Sequence, residues 1–142
     1  IDSGETVFKH IPVSGSWTVL YFYPKDMTSG CTVQAQDFQN KLQAFEKQGG
    51  IVIGVSKDSF VSHGKFEKKE GLKFLLLSDE RGDLCERFGV WMEKSMYGRK
   101  FMGIERSTFI LNSKGEVVKE WRKVKVAGHV DEVLASLSAL SH

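Results

Sequence analysis

The sequence predicts an α/β domain in which a mixed central sheet is flanked by helices in three layers. Three observations carry this expectation. Short, almost continuous apolar runs alternate with amphipathic stretches, the pattern of buried parallel strands joined by helical crossovers. Near the end, two strand-like runs flank Asn112-Ser-Lys-Gly115, a turn signal that adds antiparallel strands. Finally, 142 residues that are 41% hydrophobic and 27% charged suit one soluble domain with a proper core.

Glu5-Thr-Val-Phe8 is expected as a short edge strand, followed by a turn through Pro12 to Gly15. Trp17 to Tyr23 is nearly all apolar, which suits a strand buried on both faces. From Cys31 onward, Ala35, Phe38, Leu42 and Phe45 recur at spacings of three and four, an amphipathic helix that Gly49-Gly50 ends. Ile51 to Ser56 is a second buried strand, and Asp58 or Ser59 caps a helix running to about Glu70. Phe74 to Ser78 is a third strand. Asp79 then caps a short helix holding Leu84, Cys85 and Phe88, closed by Gly89. Residues 91–104, rich in Met, Gly and basic side chains, read as a mobile loop, with Met92, Met96 and Met102 filling gaps beneath it. Ser107–Leu111 and Glu116–Trp121 form a hairpin, and Val130 to Leu140 a final helix. Trp17, Trp91 and Trp121 are expected in the core. The resulting order, βα, βα, βα, ββα, implies right-handed crossovers and a thioredoxin-like architecture.

The chain shows no repeats or linker-like shift in composition, so residues 1–142 are read as a single domain. It begins at Ile1, and its N-terminal segment is expected to be incomplete. A net charge of +2 arises from interspersed Lys and Glu; the densest basic run, Arg122-Lys-Val-Lys125, is short enough to be a solvated face, so no nucleic-acid partner is expected. No apolar run approaches the roughly 20 residues that span a bilayer. The histidines His10, His63, His129 and His142 lack ligand spacing, so neither metal nor cofactor is expected. Two distant cysteines point to reduced thiols in a reducing, cytoplasmic setting.

Chemistry concentrates in Tyr23-Pro-Lys-Asp-Met-Thr-Ser-Gly-Cys31-Thr32. A cysteine where a strand turns into a helix N-terminus sits beside backbone N–H groups without intrahelical partners, and their dipoles favour the nucleophilic thiolate. The Thr28 hydroxyl adds a donor, and the ring of Pro24 a shield against water.

These residues resemble the Pro-x3-Thr-x2-Cys motif of peroxiredoxins, and their context resembles the peroxiredoxin Q, or bacterioferritin comigratory protein, branch. Matching blocks lie at Leu76–Glu80, Phe88–Trp91, Glu93–Ser95, Gly103–Phe109 and Gly128-His129, so the likeness runs from about residue 17 to residue 140. The resemblance implies a thiol peroxidase that reduces hydrogen peroxide and organic hydroperoxides. It implies Cys31 as peroxidatic nucleophile, Thr28 orienting peroxide and thiolate, Pro24 covering the thiolate, and Arg106 completing the pocket. Attack leaves a sulfenic acid that a thiol must condense with before the next turnover.

Many members of the branch carry a second cysteine five positions after the first; this chain has Gln36 there. Ser29 also stands before Gly30 where proline is frequent in the branch; serine can start a helix through its hydroxyl, so the chemistry is expected to survive. Three routes of regeneration remain: an external thiol such as thioredoxin, glutaredoxin or glutathione in a one-cysteine cycle, resolution by Cys85, or transient pairing of two Cys31 sulfurs between chains. Cys85, set among apolar neighbours, also reads as a small core residue. The protein is read as a monomer or weak dimer. A thioredoxin-type dithiol cycle needs Cys-x-x-Cys, and position 34 is Gln34. A redox-sensing or holdase-like module that does not turn over is the competing reading.

Overall fold

A computed structural model describes residues 16–141. The expected edge strand at Glu5–Phe8 and turn at Pro12–Gly15 lie outside the described residues, as do His10 and His142. The chain runs β1 (Trp17–Phe22), α1 (Ser29–Asn40), α2 (Leu42–Lys47), β2 (Gly50–Ser56), α3 (Phe60–Glu70) and β3 (Leu75–Ser78). It continues with α4 (Asp83–Arg87), β4 (Trp91–Met96), β5 (Arg99–Ile104), β6 (Ser107–Leu111), β7 (Val117–Trp121) and α5 (His129–Leu140).

Five strands form one sheet in the order β3-β2-β1-β6-β7, parallel from β3 to β1 and antiparallel beyond it. The apolar run of β1 is buried on both faces, as its composition predicts. Val19, Tyr21 and Tyr23 join one core cluster with Ala35, Phe38 and Phe45 of α1 and α2, Phe66 of α3 and Val133 and Leu137 of α5. Leu20 and Phe22 point the other way, into a cluster with Leu84 and Cys85 of α4, Phe88 and Ile104. The period-2 alternation of a strand thus produces the three layers. Trp17, Trp91 and Trp121 are half-buried and pack against the rims of these clusters rather than inside them.

Close packing beneath the site depends on Gly54. A Cβ there would stand 2.9 Å from both Tyr21 Cζ and Leu76 Cδ2, so the bare backbone makes room for the Tyr21 ring, which stacks on Phe38 at 4.5 Å.

Three further expectations are corrected. The long helix after Cys31 is two helices, interrupted where the Lys41 N–H turns back to the Phe38 carbonyl at 3.2 Å; that tightened turn keeps Phe38, Leu42 and Phe45 all buried. Gly82, not Asp79, occupies the N-cap of α4, but the Asp79 carboxylate still accepts from Leu84 N and Cys85 N at 3.1 and 2.9 Å.

The third correction is larger. Residues 91–104 form an antiparallel ribbon, β4 and β5, joined by Tyr97-Gly98 with φ of 53° and 77°. Two successive positive φ values define a hairpin turn whose twist matches the strands. Most ribbon side chains are exposed, so apolar alternation could not reveal it; Met96 and Met102 are exposed and do not fill gaps, while Met92 is half-buried.

The ends of helices follow local rules. Ser59, rather than Asp58, caps α3 by accepting from Ser62 N at 3.1 Å, and Gly71 closes it in the left-handed region.

Candidate active site

The parallel strands deliver the chain to their carboxyl ends, where open α/β sheets place their sites. Register assembles that end of the sheet. Phe22 at the end of β1 pairs with Val55 of β2 on one side and with Ser107, the first residue of β6, on the other. The loop 23–28 leaving β1 therefore lies beside Arg106, the residue before β6.

Thr28 is the N-cap of α1, with extended backbone (φ −86°, ψ 157°), so Cys31 is the third residue of the helix. The Thr28 side chain makes no capping bond, which leaves the first-turn N–H groups around Cys31 without intrahelical or capping partners. Its hydroxyl instead donates to the Lys25 carbonyl at 2.9 Å. Cys31 is 1% exposed and free of any disulfide.

Arg106 reaches across from the β5–β6 connection. Its Nη2 donates to Cys31 Sγ at 3.3 Å and its Nη1 to Gln34 Oε1 at 2.5 Å. A planar guanidinium suits this double grip because its donors are fixed in one fork. Gly30 permits the approach: a Cβ there would lie 3.3 Å from Arg106 Nη2. Pro24, at the head of the loop, is exposed.

Three residues at the site escaped sequence reasoning as functional. Gln34 is fully buried, and its Nε2 has no hydrogen-bond partner. The hydroxyl of buried Tyr21 is likewise unpaired; burial first, and then the nearby Cys31, push its phenol well above the ordinary range. Lys94 of β4 is half-buried, its stem running over Gly103, whose added Cβ would meet Lys94 Cδ at 3.3 Å. Burial and the Arg106 charge lower the Lys94 ammonium pKa, against opposing pulls from Cys31 and Glu105. For Gln34 a helical spacing of three from Cys31 was the available signal; for Lys94 the only one was its place in the matching block Glu93–Ser95, because it is the ribbon that carries it to the site.

Cys85 is not gathered here. It packs in the cluster on the opposite face of the sheet from Cys31, and burial followed by its contact with Asp79 pushes its thiol far up. Gln36, where the resemblance implies a second cysteine, donates to Glu70 Oε1 at 2.6 Å. His129 is buried, its Nε2 2.8 Å from Thr108 Oγ1 and its ring edge-on to Trp121, in keeping with a structural role. Asp26, Asp58 and His63 place potential ligand atoms within 4.8 Å of one another, but protein groups already engage those atoms: Tyr23, Ser62 and His63 on Asp26, and Ser56 with the Asp26 N–H on Asp58. No helix among the described residues is long and apolar enough to cross a membrane.

Comparison with known proteins agrees with this geometry. Residues 2–120 match the AhpC/TSA family. The chain is 51% identical over 140 residues to peroxiredoxin Bcp of Bacillus subtilis, covering 99% of this chain and 88% of the relative. It is 42% identical to peroxiredoxin Bcp of Escherichia coli, covering 84% of this chain and 77% of that one. Among solved structures, the bacterioferritin comigratory protein of Xanthomonas campestris, studied for its alkyl peroxide reduction activity, superposes with a TM-score of 0.86. It shares 52% identity over 90% of this chain and 82% of its own. With a helix-start cysteine gripped by an arginine, and with these relatives, the chain belongs to the AhpC/TSA family as a peroxiredoxin of the Bcp type, a thiol-dependent peroxidase.

Proposed function

We propose that Cys31 is the peroxidatic nucleophile, and that the protein reduces hydrogen peroxide and organic hydroperoxides in a one-cysteine cycle completed by an external thiol. The observation that carries this reading is the Arg106 guanidinium held 3.3 Å from Cys31 Sγ at the first turn of α1. The thiolate attacks the terminal oxygen of ROOH in line; an S–O bond forms as the O–O bond breaks, and its electron pair leaves on RO⁻. That alkoxide takes a proton to give ROH, and Cys31 is left as sulfenic acid, oxidised by two electrons.

Negative charge moves from sulfur to the departing oxygen, and fixed donors aimed at it lower the barrier. Arg106 and the unpaired N–H groups of the first turn supply those donors. The Thr28 hydroxyl hydrogen is committed to Lys25, so its oxygen lone pairs accept the hydroperoxide O–H and orient it. Pro24 covers the thiolate on its solvent side.

A thiol then attacks the sulfenate sulfur, releasing water and forming a mixed disulfide that a second thiol reduces. Thioredoxin, glutaredoxin and glutathione are the candidate donors, in a reducing cytosol, with the protein a monomer or weak dimer. Placement of Cys85 across the sheet and Gln36 in place of a neighbouring thiol support an external donor over an internal one.

Intact-mass analysis after one equivalent of peroxide tests the scheme. A single added oxygen, lost in Cys31→Ser and retained in Cys85→Ser, is the expected result. An internal disulfide that disappears in Cys85→Ser would instead establish a two-cysteine cycle. Stoichiometric oxidation with no turnover on any thiol would favour the redox-sensor reading.

A further inference from the structure

Asp26 sits inside the motif loop, between Pro24 and Thr28, yet it is only 4% exposed. Its Oδ1 accepts from Tyr23 OH at 2.6 Å, and its Oδ2 accepts from Ser62 Oγ at 2.7 Å and lies 2.7 Å from His63 Nδ1. Its own N–H donates to Asp58 Oδ2 at 2.8 Å, and Asp58 is steadied in turn by Ser56 Oγ at 2.6 Å. The motif loop is thereby tied to α3 and to the end of β2. None of these contacts touches Cys31, and the chemistry above makes no use of them.

The hydrogen count is informative. His63 Nε2 lies 2.9 Å from the Leu77 carbonyl, which can only accept, so Nε2 carries a hydrogen. A 2.7 Å contact between Nδ1 and a carboxylate oxygen needs a hydrogen as well. The pair therefore holds one proton more than a neutral histidine beside an ionised carboxylate. If that proton leaves, a lone pair faces a buried negative charge.

The loop has reason to move when released. Met27, next to Asp26, is held at φ 62°, a left-handed conformation that a residue with a side chain rarely adopts. Cys31 is 1% exposed, so a thiol large enough to reduce its sulfenate must be admitted by displacement of the loop or the first turn of α1. The loop faces two opposing demands, one for each half of the cycle.

We propose that Asp26 and His63 are a protonated latch: closed, it holds the Pro24–Thr28 loop in the shape that reduces peroxide, and it must open before an external thiol reaches oxidised Cys31. The proposal rests on the one-cysteine reading above. Both members are positioning residues, acting through the loop rather than on substrate.

The titratable groups facing His63 are Asp26 on the loop, Asp58 before α3 and Tyr23 at the end of β1, whose phenol burial keeps neutral. Burial works to lower His63, but the Asp26 hydrogen bond and the charges of Asp26 and Asp58 outweigh it and raise it above 6.5. Burial likewise works to raise Asp26, and the bonds from His63, Tyr23 and Ser62 outweigh it. The latch is accordingly complete below the ordinary histidine value and fails as pH rises through the elevated one.

Asp26→Asn and Asp26→Ala test the idea. In Asp26→Asn the amide can donate to a neutral His63 Nδ1 and accept from Tyr23, so the tie survives without a titrating proton. Each variant is compared with wild type for oxidation by one equivalent of hydrogen peroxide, condensation of the sulfenate with glutathione, and alkylation of Cys31 by iodoacetamide. Ratios at each pH cancel the titration of Cys31 itself.

Near about pH 6, wild type and Asp26→Asn should oxidise within about 2-fold of each other, and toward about pH 9 wild type should fall roughly 10-fold behind. Asp26→Ala should oxidise about 10- to 100-fold more slowly at every pH, while its sulfenate condenses with glutathione several-fold faster. Should Asp26→Ala lose its circular-dichroism signature, His63→Leu replaces it, with the same opposed changes expected.

Slowing of both half-reactions together, or an alkaline decline unchanged in Asp26→Asn, overturns the latch. Failure of wild type to reduce peroxide would overturn the function instead. The alkylation arm still reads the latch in that event, because faster trapping in Asp26→Ala than in Asp26→Asn needs no turnover.

Discussion

Replacing Arg106 with methionine keeps the length of the stem and removes the guanidinium. Two contacts vanish, the 3.3 Å bond to Cys31 Sγ and the 2.5 Å bond to Gln34 Oε1. A unit charge about 4 Å from another is worth about 4 kcal/mol at the effective dielectric of a protein surface. Deletion of a single oxyanion donor typically loses about 3–4 kcal/mol. Both routes lead to a rate constant for Cys31 oxidation lower by about 100- to 1000-fold. Arg106→Lys keeps the charge but has no fork to hold sulfur and amide together, so it should recover only part of the rate. The loss of stability should be about 1–3 kcal/mol, because Gln34 would then have neither end of its amide paired in a buried setting. Stopped-flow oxidation with one equivalent of peroxide, counted by intact mass, separates this effect from resolution. If Arg106→Met oxidises within about 3-fold of wild type, the role assigned to the guanidinium is wrong.

Four further outcomes follow from particular contacts. Gly54→Ala forces a methyl to 2.9 Å from the Tyr21 ring and Leu76, and thermal unfolding should report a loss of about 1–3 kcal/mol. Cys85→Ser should leave turnover with glutathione or thioredoxin intact, because the thiol is buried in the cluster on the opposite face of the sheet from Cys31 and beside the Asp79 carboxylate, which can accept the new hydroxyl. Lys94→Met should slow oxidation several-fold where the ammonium is charged, and the difference from wild type should fade as pH rises through the lowered lysine value. Global stability should be fullest between about the ordinary aspartate value of 3.8 and the ordinary histidine value of 6.5, as seen in urea unfolding. It should decline below that window as the lowered Asp26 protonates and above it as the raised His63 deprotonates.

Much of the fold was legible residue by residue. The unbroken apolar run of β1 foretold a strand covered on both faces, and Asn112–Gly115 foretold the β6–β7 hairpin. The ribbon β4–β5 was missed because its side chains are mostly exposed and its cue was a two-residue turn that required Tyr97 to take a positive φ. At the site, Cys31 and Thr28 could be placed at a helix start from neighbouring residues alone. Gln34 lay within reach of the same reasoning, one helical turn on. Asp26 and His63 gave no such cue, since neither has its partner nearby in the chain.

Read unaided, the chain determined which cysteine opens a helix after a buried strand and which segments build the sheet, because strand and helix periodicities are properties of adjacent residues. The resemblance had named Arg106, 75 residues away, but tertiary structure showed its grip on Cys31, and it alone decided that Lys94 joins them and that the sheet separates Cys85 from both. Those relations depend on strand register and on which face each side chain takes, and a shift of one residue in pairing would reverse every one of those faces.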